Sequence, residues 1–180
     1  MSKLIIVCGL PGSGKTTLAK EISKRLKIAC IHKDSIKEQF FESMNLSTLE
    51  DSKRVGKPTI DVLFRLAQEQ MENGVDIIIE APFNFPDDYP LFEGWQRKYG
   101  VNLYVIICSI SKEERNNRFV ERLNNGNRHH SHHDIDRLHI EGFDNNQIEF
   151  DYADIPGKQI RITTDKPVNV LVEEVVSRIK

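Results

Sequence analysis

The feature that most constrains this chain is a glycine-rich stretch near the N-terminus, residues 9–17, which reads GLPGSGKTT. It matches the phosphate-binding pattern G-x-x-x-x-G-K-[ST] at every fixed position. An apolar run precedes the stretch at residues 4–8, and apolar residues recur at helical spacing after it. The stretch is therefore predicted to join a buried strand to a helix, which is the context that such a loop requires.

Each residue type in this stretch suits contact with phosphate. Glycines let the backbone approach the anion closely, and the N–H groups at a helix start point at it. Lys15 is predicted to neutralise the β- and γ-phosphates, and the Thr16 hydroxyl to bind Mg²⁺. The predicted nucleoside triphosphate site consists of Gly9, Pro11, Gly12, Ser13, Gly14, Lys15, Thr16 and Thr17.

Two other interpretations of the stretch fit less well. A dinucleotide-binding fingerprint would need a third glycine where Thr17 stands. A glycine-rich turn without a ligand would not need the strand, the Lys-Thr pair and the helix that accompany it. Binding of a nucleoside triphosphate is the prediction that we retain.

Length and composition narrow the class of protein. A chain of 180 residues suits one domain with a single α/β core, and its net charge of −2 gives no general attraction to nucleic acid or to an anionic membrane. No apolar run approaches the roughly 20 residues of a membrane span, and no signal-peptide pattern precedes the first strand. Three cysteines without a C-x-x-C pair predict reduced thiols in a cytoplasmic protein.

The apolar pattern predicts a single domain over residues 1–180, with strands that alternate with helices. Such alternation favours a parallel sheet with right-handed crossovers. A polar stretch at residues 42–57 is predicted to be a flexible excursion, and the wider region 38–57 a possible insert that binds the acceptor. Residues 142–158 are predicted to form a long loop. The predicted strands are residues 4–8, 28–31, 76–80, 103–108 and 160–163.

Polar residues follow several of these strands. Ligands of open parallel sheets bind beyond the carboxyl ends of the strands, so side chains placed there are candidates for the site. Two arginines four residues apart share one face of a predicted helix that begins after a capping-box pattern at residues 111–114. The candidates outside the glycine-rich stretch are Asp34, Lys37, Glu80, Phe83, Arg118, Arg122 and Arg128.

With these motifs, the sequence resembles the small P-loop kinases of the nucleoside-monophosphate-kinase type. It is most similar to the branch that includes zeta toxins and chloramphenicol phosphotransferase. The resemblance covers most of the chain. It implies a three-layer α/β fold in which a five-stranded parallel sheet of order 2-3-1-4-5 has helices on both faces. It also implies ATP and Mg²⁺ as cofactors. The sequence lacks the N-K-x-D motif that a GTPase would be expected to carry.

The resemblance implies roles on the acceptor side. Asp34 would accept the proton of an attacking hydroxyl, although it could instead cap the next helix. Lys37 stands where the family often has arginine, and it keeps the charge without the bidentate fork. Glu80 would hold Mg²⁺ through water, contact the acceptor or be a solvated strand end. Phe83 would form part of an acceptor wall or of the core.

The resemblance also implies a lid over residues 115–133. Arg118, Arg122 and Arg128 would stabilise charge on the transferring phosphoryl group, or else belong to a solvated helix. The loop at residues 163–165 would lie over the adenine base through backbone contacts. The histidine-rich run at residues 129–133 has three interpretations, namely metal binding, contact with phosphate or substrate, and a mobile polar loop.

Together these features predict an ATP-dependent phosphotransferase that moves the γ-phosphoryl group to a hydroxyl of a small acceptor. One alternative is a polynucleotide 5′-hydroxyl kinase, against which the acidic net charge argues. A second alternative is a nucleotide-binding switch that hydrolyses ATP slowly and acts through a protein partner. The sequence does not identify the acceptor, and no membrane partner is expected.

Overall fold

A computed structural model describes residues 1–83, 86–125, 129–133 and 152–179. Its centre is a five-stranded sheet of order β2-β3-β1-β4-β5, in which every neighbouring pair is parallel. This confirms the predicted α/β fold and its strand order. The strands are β1 Lys3–Cys8, β2 Cys30–His32, β3 Ile77–Glu80, β4 Asn102–Ser109 and β5 Lys158–Thr163.

Helices connect the strands and cover both faces of the sheet. They are α1 Lys15–Leu26, α2 Lys33–Met44, α3 Leu49–Arg54, α4 Gly56–Glu72, α5 Tyr89–Tyr99, α6 Lys112–Asn124 and α7 Val168–Val176. Two single-turn 3₁₀ helices lie at Pro86–Asp88 and His130–His132. Among the described residues, no helix is both long enough and apolar enough to cross a membrane.

The side chains of β1 show how the sheet divides the core into two layers. Alternate residues of a strand point to opposite faces, and Leu4 and Ile6 accordingly pack with residues of α4 and α5. Ile5 and Val7 pack instead with residues of α1 and α7. All four side chains are fully buried, as expected for a parallel strand that is covered on both sides.

The prediction that residues 42–57 form a flexible excursion is wrong. α2 continues to Met44, and α3 occupies much of the remainder before α4 begins at Gly56. A capping box starts α3, because the Thr48 hydroxyl accepts a hydrogen bond from the Asp51 N–H at 3.0 Å and Asp51 accepts one from the Thr48 N–H at 3.1 Å. The sequence carries this signal as T-x-x-D.

A small separate core holds this helical region together. Phe41, Leu46 and Val55 are buried against one another and come from α2, the turn after it and the junction of α3 with α4. The buried apolar contacts explain why a segment with so many polar residues is ordered. Whether the region binds an acceptor stays a prediction.

Two strands begin two residues away from their predicted starts. β2 begins at Cys30, two residues later than predicted, because Lys27 ends α1 in the left-handed conformation and the Ile28 N–H still bonds to Ser23. β5 begins at Lys158, two residues earlier than predicted. Most of the predicted loop, residues 142–151, lies outside the described residues.

Candidate active site

The glycine-rich loop connects β1 to α1, as predicted. Gly9, Gly12 and Gly14 have φ values of +142°, +83° and +78°, which side-chain-bearing residues rarely adopt. A Cβ atom at Gly9 would lie only 2.4 Å from the carbonyl oxygen of Cys108. Because α1 starts at Lys15, the first N–H groups of the helix lie directly after the loop and are available to an anion.

A cavity of about 430 Å³ opens at the start of α1. Its walls come from the glycine-rich loop and α1, from α6, and from the segment that joins β5 to α7. Of the predicted residues, Gly12, Gly14, Lys15, Thr16, Thr17, Arg118 and Arg122 line it. Gly9 and Ser13 are packed behind the loop, and Pro11 is exposed. The cavity therefore brings the predicted phosphate loop together with two arginines that lie more than 100 positions away.

Glu80 connects the phosphate loop to β2. Its carboxylate is almost fully buried, with Oε1 3.9 Å from Lys15 Nζ and Oε2 3.0 Å from His32 Nδ1. The sheet register explains this contact, because Val7, Glu80 and His32 are aligned across three neighbouring strands. The alternative of a solvated strand end is therefore wrong for Glu80. His32 was not predicted as a site residue. It lies next to Glu80 because the register of β2 and β3 aligns the two residues.

Arg118 holds α6 against the segment that follows β5. Its Nη2 donates to the carbonyl of Thr164 at 2.8 Å, its Nη1 to the Thr164 hydroxyl at 3.3 Å, and its Nε to Glu114 at 3.1 Å. The Thr164 hydroxyl in turn donates to the carbonyl of Ser13 at 2.8 Å. Arg118 is thus fixed next to the loop, and the predicted loop at residues 163–165 contacts it through both backbone and side chain.

Two buried polar atoms next to the loop have no hydrogen-bond partner among the described residues, namely Arg115 Nε and Ser13 Oγ. Arg115 is 6% exposed, and its side chain packs so closely on Gly12 that a Cβ there would lie 2.7 Å from Arg115 Cγ. Buried polar atoms without partners are costly, and neither residue is among those that line the cavity. Arg115 was missed as a candidate, although it lies three positions before Arg118 on the same predicted helix.

Asp34 is the second residue of α2, and its side chain is 42% exposed. The cap position belongs to His32, so the structure does not support a role for Asp34 as the helix cap. His132 lies beside it, with Nδ1 4.0 Å from Asp34 Oδ2 and Nε2 2.9 Å from Glu38 Oε1. The partly exposed Asp34 carboxylate lies two residues after β2 and is not among the residues that line the cavity.

Two of the other predicted acceptor residues are buried. Lys37 is 6% exposed and donates to the Ser52 hydroxyl at 2.6 Å, which ties α2 to α3. The Phe83 ring stacks on Phe64 at a centroid distance of 6.1 Å inside the main core, so the core alternative describes this residue. The prediction that Phe83 forms part of an acceptor wall is therefore wrong. Arg128 lies outside the described residues.

The histidine-rich run packs on α2. His129 Nε2 lies 2.7 Å from Glu42 Oε1, and this hydrogen bond lowers the pKa of the Glu42 carboxyl. Ser131 and His132 are buried, so the interpretation of residues 129–133 as a mobile polar loop is wrong. The acids that face the run occur every four residues along α2, as Asp34, Glu38 and Glu42.

All three cysteines are free thiols, as predicted. Cys8 and Cys108 lie directly behind the glycine-rich loop, and burial raises the pKa of Cys108 to about 12. Burial also raises the pKa of Cys30 to about 12. Protonated thiols are weak nucleophiles, so these side chains are suited to packing and not to covalent chemistry.

Comparison with known proteins agrees with this geometry. Residues 4–141 match the family described as AAA domain. A cytidylate kinase from Ignicoccus hospitalis is 31% identical over 80 residues, which span 43% of this chain and 46% of that kinase. The chain therefore spans about half the length of that curated relative.

Solved structures match over nearly the whole chain. A protein from Chloroflexus aurantiacus J-10-fl, provisionally described as a kinase, has a TM-score of 0.81 at 25% identity, with 99% of each chain covered. The APS kinase of Mycobacterium tuberculosis, in complex with AMPPNP and APS, has a TM-score of 0.58 at 16% identity and covers 99% of this chain and 97% of its own. The second likeness shows the fold alone.

The matched segment contains the phosphate loop, Glu80 and the arginine-bearing helix α6, and it covers most of the chain. The protein belongs to the AAA domain family. Within it, the fold and the loop are those of the P-loop kinases of the nucleoside-monophosphate-kinase type.

Proposed function

We propose that the protein transfers the γ-phosphoryl group of ATP to a hydroxyl group of a small acceptor. The observation that carries this proposal is the contact of the phosphate loop with the end of β2, next to Asp34. Lys15 faces Glu80, Glu80 bonds to His32, and Asp34 follows His32 by two residues. The buried Glu80 carboxylate therefore links Lys15 of the phosphate loop to His32, two residues before Asp34.

On the phosphate side, the proposed catalysis consists of positioning and charge stabilisation. The N–H groups at the start of α1 and the Lys15 ammonium would bind the β- and γ-phosphates. Arg118 and Arg122 line the same cavity and would stabilise charge that develops during transfer.

The residues around Lys15 fit a Mg²⁺ ion. Thr16 lies in the first turn of α1 and lines the cavity, and the buried Glu80 offers a carboxylate close to the loop. Thr16 would bind the ion directly and Glu80 through water. When bound, Mg²⁺ supplies positive charge to the phosphate oxygens.

On the acceptor side, Asp34 would accept the proton of the attacking hydroxyl and hold that oxygen in line with the phosphoryl group. Further carboxylates lie on the same side of α2, at Glu38 and Glu42, while the Lys37 ammonium is buried against Ser52. Although His132 lies beside Asp34 and Glu38, and His129 beside Glu42, the carboxylates on this side of α2 favour a neutral or cationic hydroxyl acceptor.

A nucleotide acceptor is the second candidate, and the match to a cytidylate kinase is the observation that favours it. A phosphate acceptor is already anionic and needs no general base. Such an acceptor would require cations on the acceptor side beyond those described above. The two candidates therefore make opposite predictions about Asp34.

The deciding experiment measures ADP release from ATP·Mg²⁺ across pools of hydroxyl compounds, nucleoside monophosphates and short oligonucleotides. We expect stimulation in one hydroxyl pool, and we expect Asp34→Asn to remove it while ATP still binds. Stimulation by a nucleoside monophosphate that survives Asp34→Asn would favour the second candidate. Stimulation by oligonucleotides alone, or tight ATP binding without stimulated turnover, would contradict both and favour a polynucleotide kinase or a regulatory switch respectively.

A further inference from the structure

Three potential metal ligands from distant parts of the chain meet beside α2. They are Glu42 near the end of α2, and His129 and His130 at the start of the histidine-rich run. One ligand atom from each side chain lies within 4.8 Å of the other two. The closest pair is His129 Nε2 and Glu42 Oε1, at 2.7 Å, and the centroids of the two imidazole rings are 4.2 Å apart.

The donor set has the chemistry of a zinc site. Two imidazole nitrogens and one carboxylate oxygen bind Zn²⁺ at about 2.0–2.2 Å and leave a fourth position for water. In a tetrahedral site, two ligand atoms at these distances lie about 3.3–3.6 Å apart. Atoms at the widest separation of 4.8 Å would need to approach by roughly 1.2–1.5 Å, and the pair at 2.7 Å would need to move apart by roughly 0.6–0.9 Å, which side-chain rotations provide.

The surroundings also hold the two histidines in place. Phe41, which is 1% exposed, lies under both rings, with centroid distances of 6.4 Å to His129 and 5.6 Å to His130. Ser131 Oγ lies 2.9 Å from His129 Nδ1. The Ser131 backbone N–H donates a hydrogen bond to the same His129 Nδ1 at 3.2 Å, so two contacts orient the ring. Metal binding through Nε2 would move the ring proton to Nδ1 and replace this backbone bond by one to Ser131 Oγ.

We propose that Glu42, His129 and His130 form a binding site for Zn²⁺ or a similar divalent transition-metal ion. The ion would link the segment 129–133, which is part of the predicted lid, to α2, which carries Asp34. This site is separate from the proposed Mg²⁺ position at Thr16 and Glu80. The proposal does not depend on the proposed kinase activity, because metal binding is measured without ATP or an acceptor.

A direct test is a titration of the full-length protein, free of any affinity tag, with Zn²⁺ against a chromophoric chelator. Wild type is expected to bind one Zn²⁺ ion at this site, and Glu42→Gln is expected to weaken that binding at least about tenfold, since even outer-shell partners of a metal are worth this much. Glu38→Gln is the matched control. It alters a carboxylate–histidine pair one turn away on the same helix, with His132 at 2.9 Å, and leaves all three ligands in place.

Thermal unfolding gives a second measurement. Zn²⁺ is expected to raise the unfolding temperature of Glu42→Gln by less than that of wild type and of Glu38→Gln, because stabilisation by a ligand falls as its affinity for the folded state falls. Glu42 is largely exposed, so its substitution is compatible with folding. Equal Zn²⁺ affinity in wild type and Glu42→Gln would overturn the proposal, since the histidine run alone would then bind the ion.

Discussion

The two sides of the candidate site are built in different ways. The phosphate side is formed by backbone, with three glycines at positive φ, a helix start and buried contacts such as the Thr164 hydroxyl on Ser13. The proposed acceptor side consists of polar side chains on α2 and the segment 129–133, several of them partly exposed. Backbone geometry tolerates little change, whereas side-chain pairs of this kind can be replaced one at a time. We infer that the fold preserves nucleotide binding while the acceptor side sets specificity.

The largest expected effect is on the phosphate side. Lys15→Ala removes the cation next to Glu80 and should lower the phosphotransfer rate by about 10³-fold, the upper range for loss of one preorganised charge-stabilising group. The measurement is ATP turnover under saturating acceptor. Lys24→Ala, an exposed lysine further along α1 that pairs with Glu21, is the matched control and should leave turnover unchanged. Near-normal turnover in Lys15→Ala would contradict the proposal that ATP binds at this loop.

The corresponding change on the acceptor side should be smaller. Asp34→Asn removes the proposed base and should lower acceptor phosphorylation by about 10²-fold or more, as is typical for general-base catalysis. ATP affinity should stay the same, because the phosphate side is untouched. Equilibrium binding of a fluorescent ATP analogue, together with turnover, separates the two effects. Asp61→Asn, a largely exposed acid on α4, is the control. Loss of ATP affinity in Asp34→Asn would show that the two sides are not independent.

A backbone change tests the claim that glycine geometry holds the phosphate side. Gly9→Ala places a Cβ at 2.4 Å from the Cys108 carbonyl at a φ of +142°, so the free energy of unfolding should fall by about 1–3 kcal/mol or more. Gly94 lies inside α5 with open space around it, so Gly94→Ala should raise the free energy of unfolding by about 0.5–1 kcal/mol. Urea unfolding of both variants measures the difference, and equal stabilities would contradict this account.

The smallest expected effect is on the side-chain pairs of the acceptor side. Glu38→Gln weakens the pair with His132 and should lower the free energy of unfolding by at most about 1 kcal/mol. The loss is small because the Glu38 side chain is 37% exposed and water screens the interaction. The same urea experiment checks this value. A loss as large as that in Gly9→Ala would show that the acceptor side is as tightly constrained as the phosphate side, which would remove the contrast between them.

Much of the fold was predictable because its signals are local. The glycine-rich loop and the apolar strands can each be recognised within a short stretch, and the structure confirms them. The helical nature of residues 42–57 was missed because a T-x-x-D capping box was passed over in a polar context. The burial of Phe83 was left open because an aromatic residue after a strand can face either a pocket or the core.

The site was predictable only in part. Lys15, Glu80, Arg118 and Arg122 were identified from motif and spacing, and the structure places all four around the loop. His32 and Arg115 were missed, because nothing in the sequence marks a register alignment or a contact across 103 positions with Gly12. Contacts of this type depend on packing between elements and leave no local pattern.

By itself, the sequence determined the phosphate loop and the order of strands and helices, because backbone conformation and apolar periodicity depend on neighbouring residues. Only the tertiary structure decided which polar side chains meet. It brought His132 to Asp34 across 98 positions and His129 to Glu42 across 87, and it buried Glu80 between Lys15 and His32. Side chains so far apart in sequence become neighbours only when the sheet and its helices pack, so these contacts cannot be deduced from local pattern.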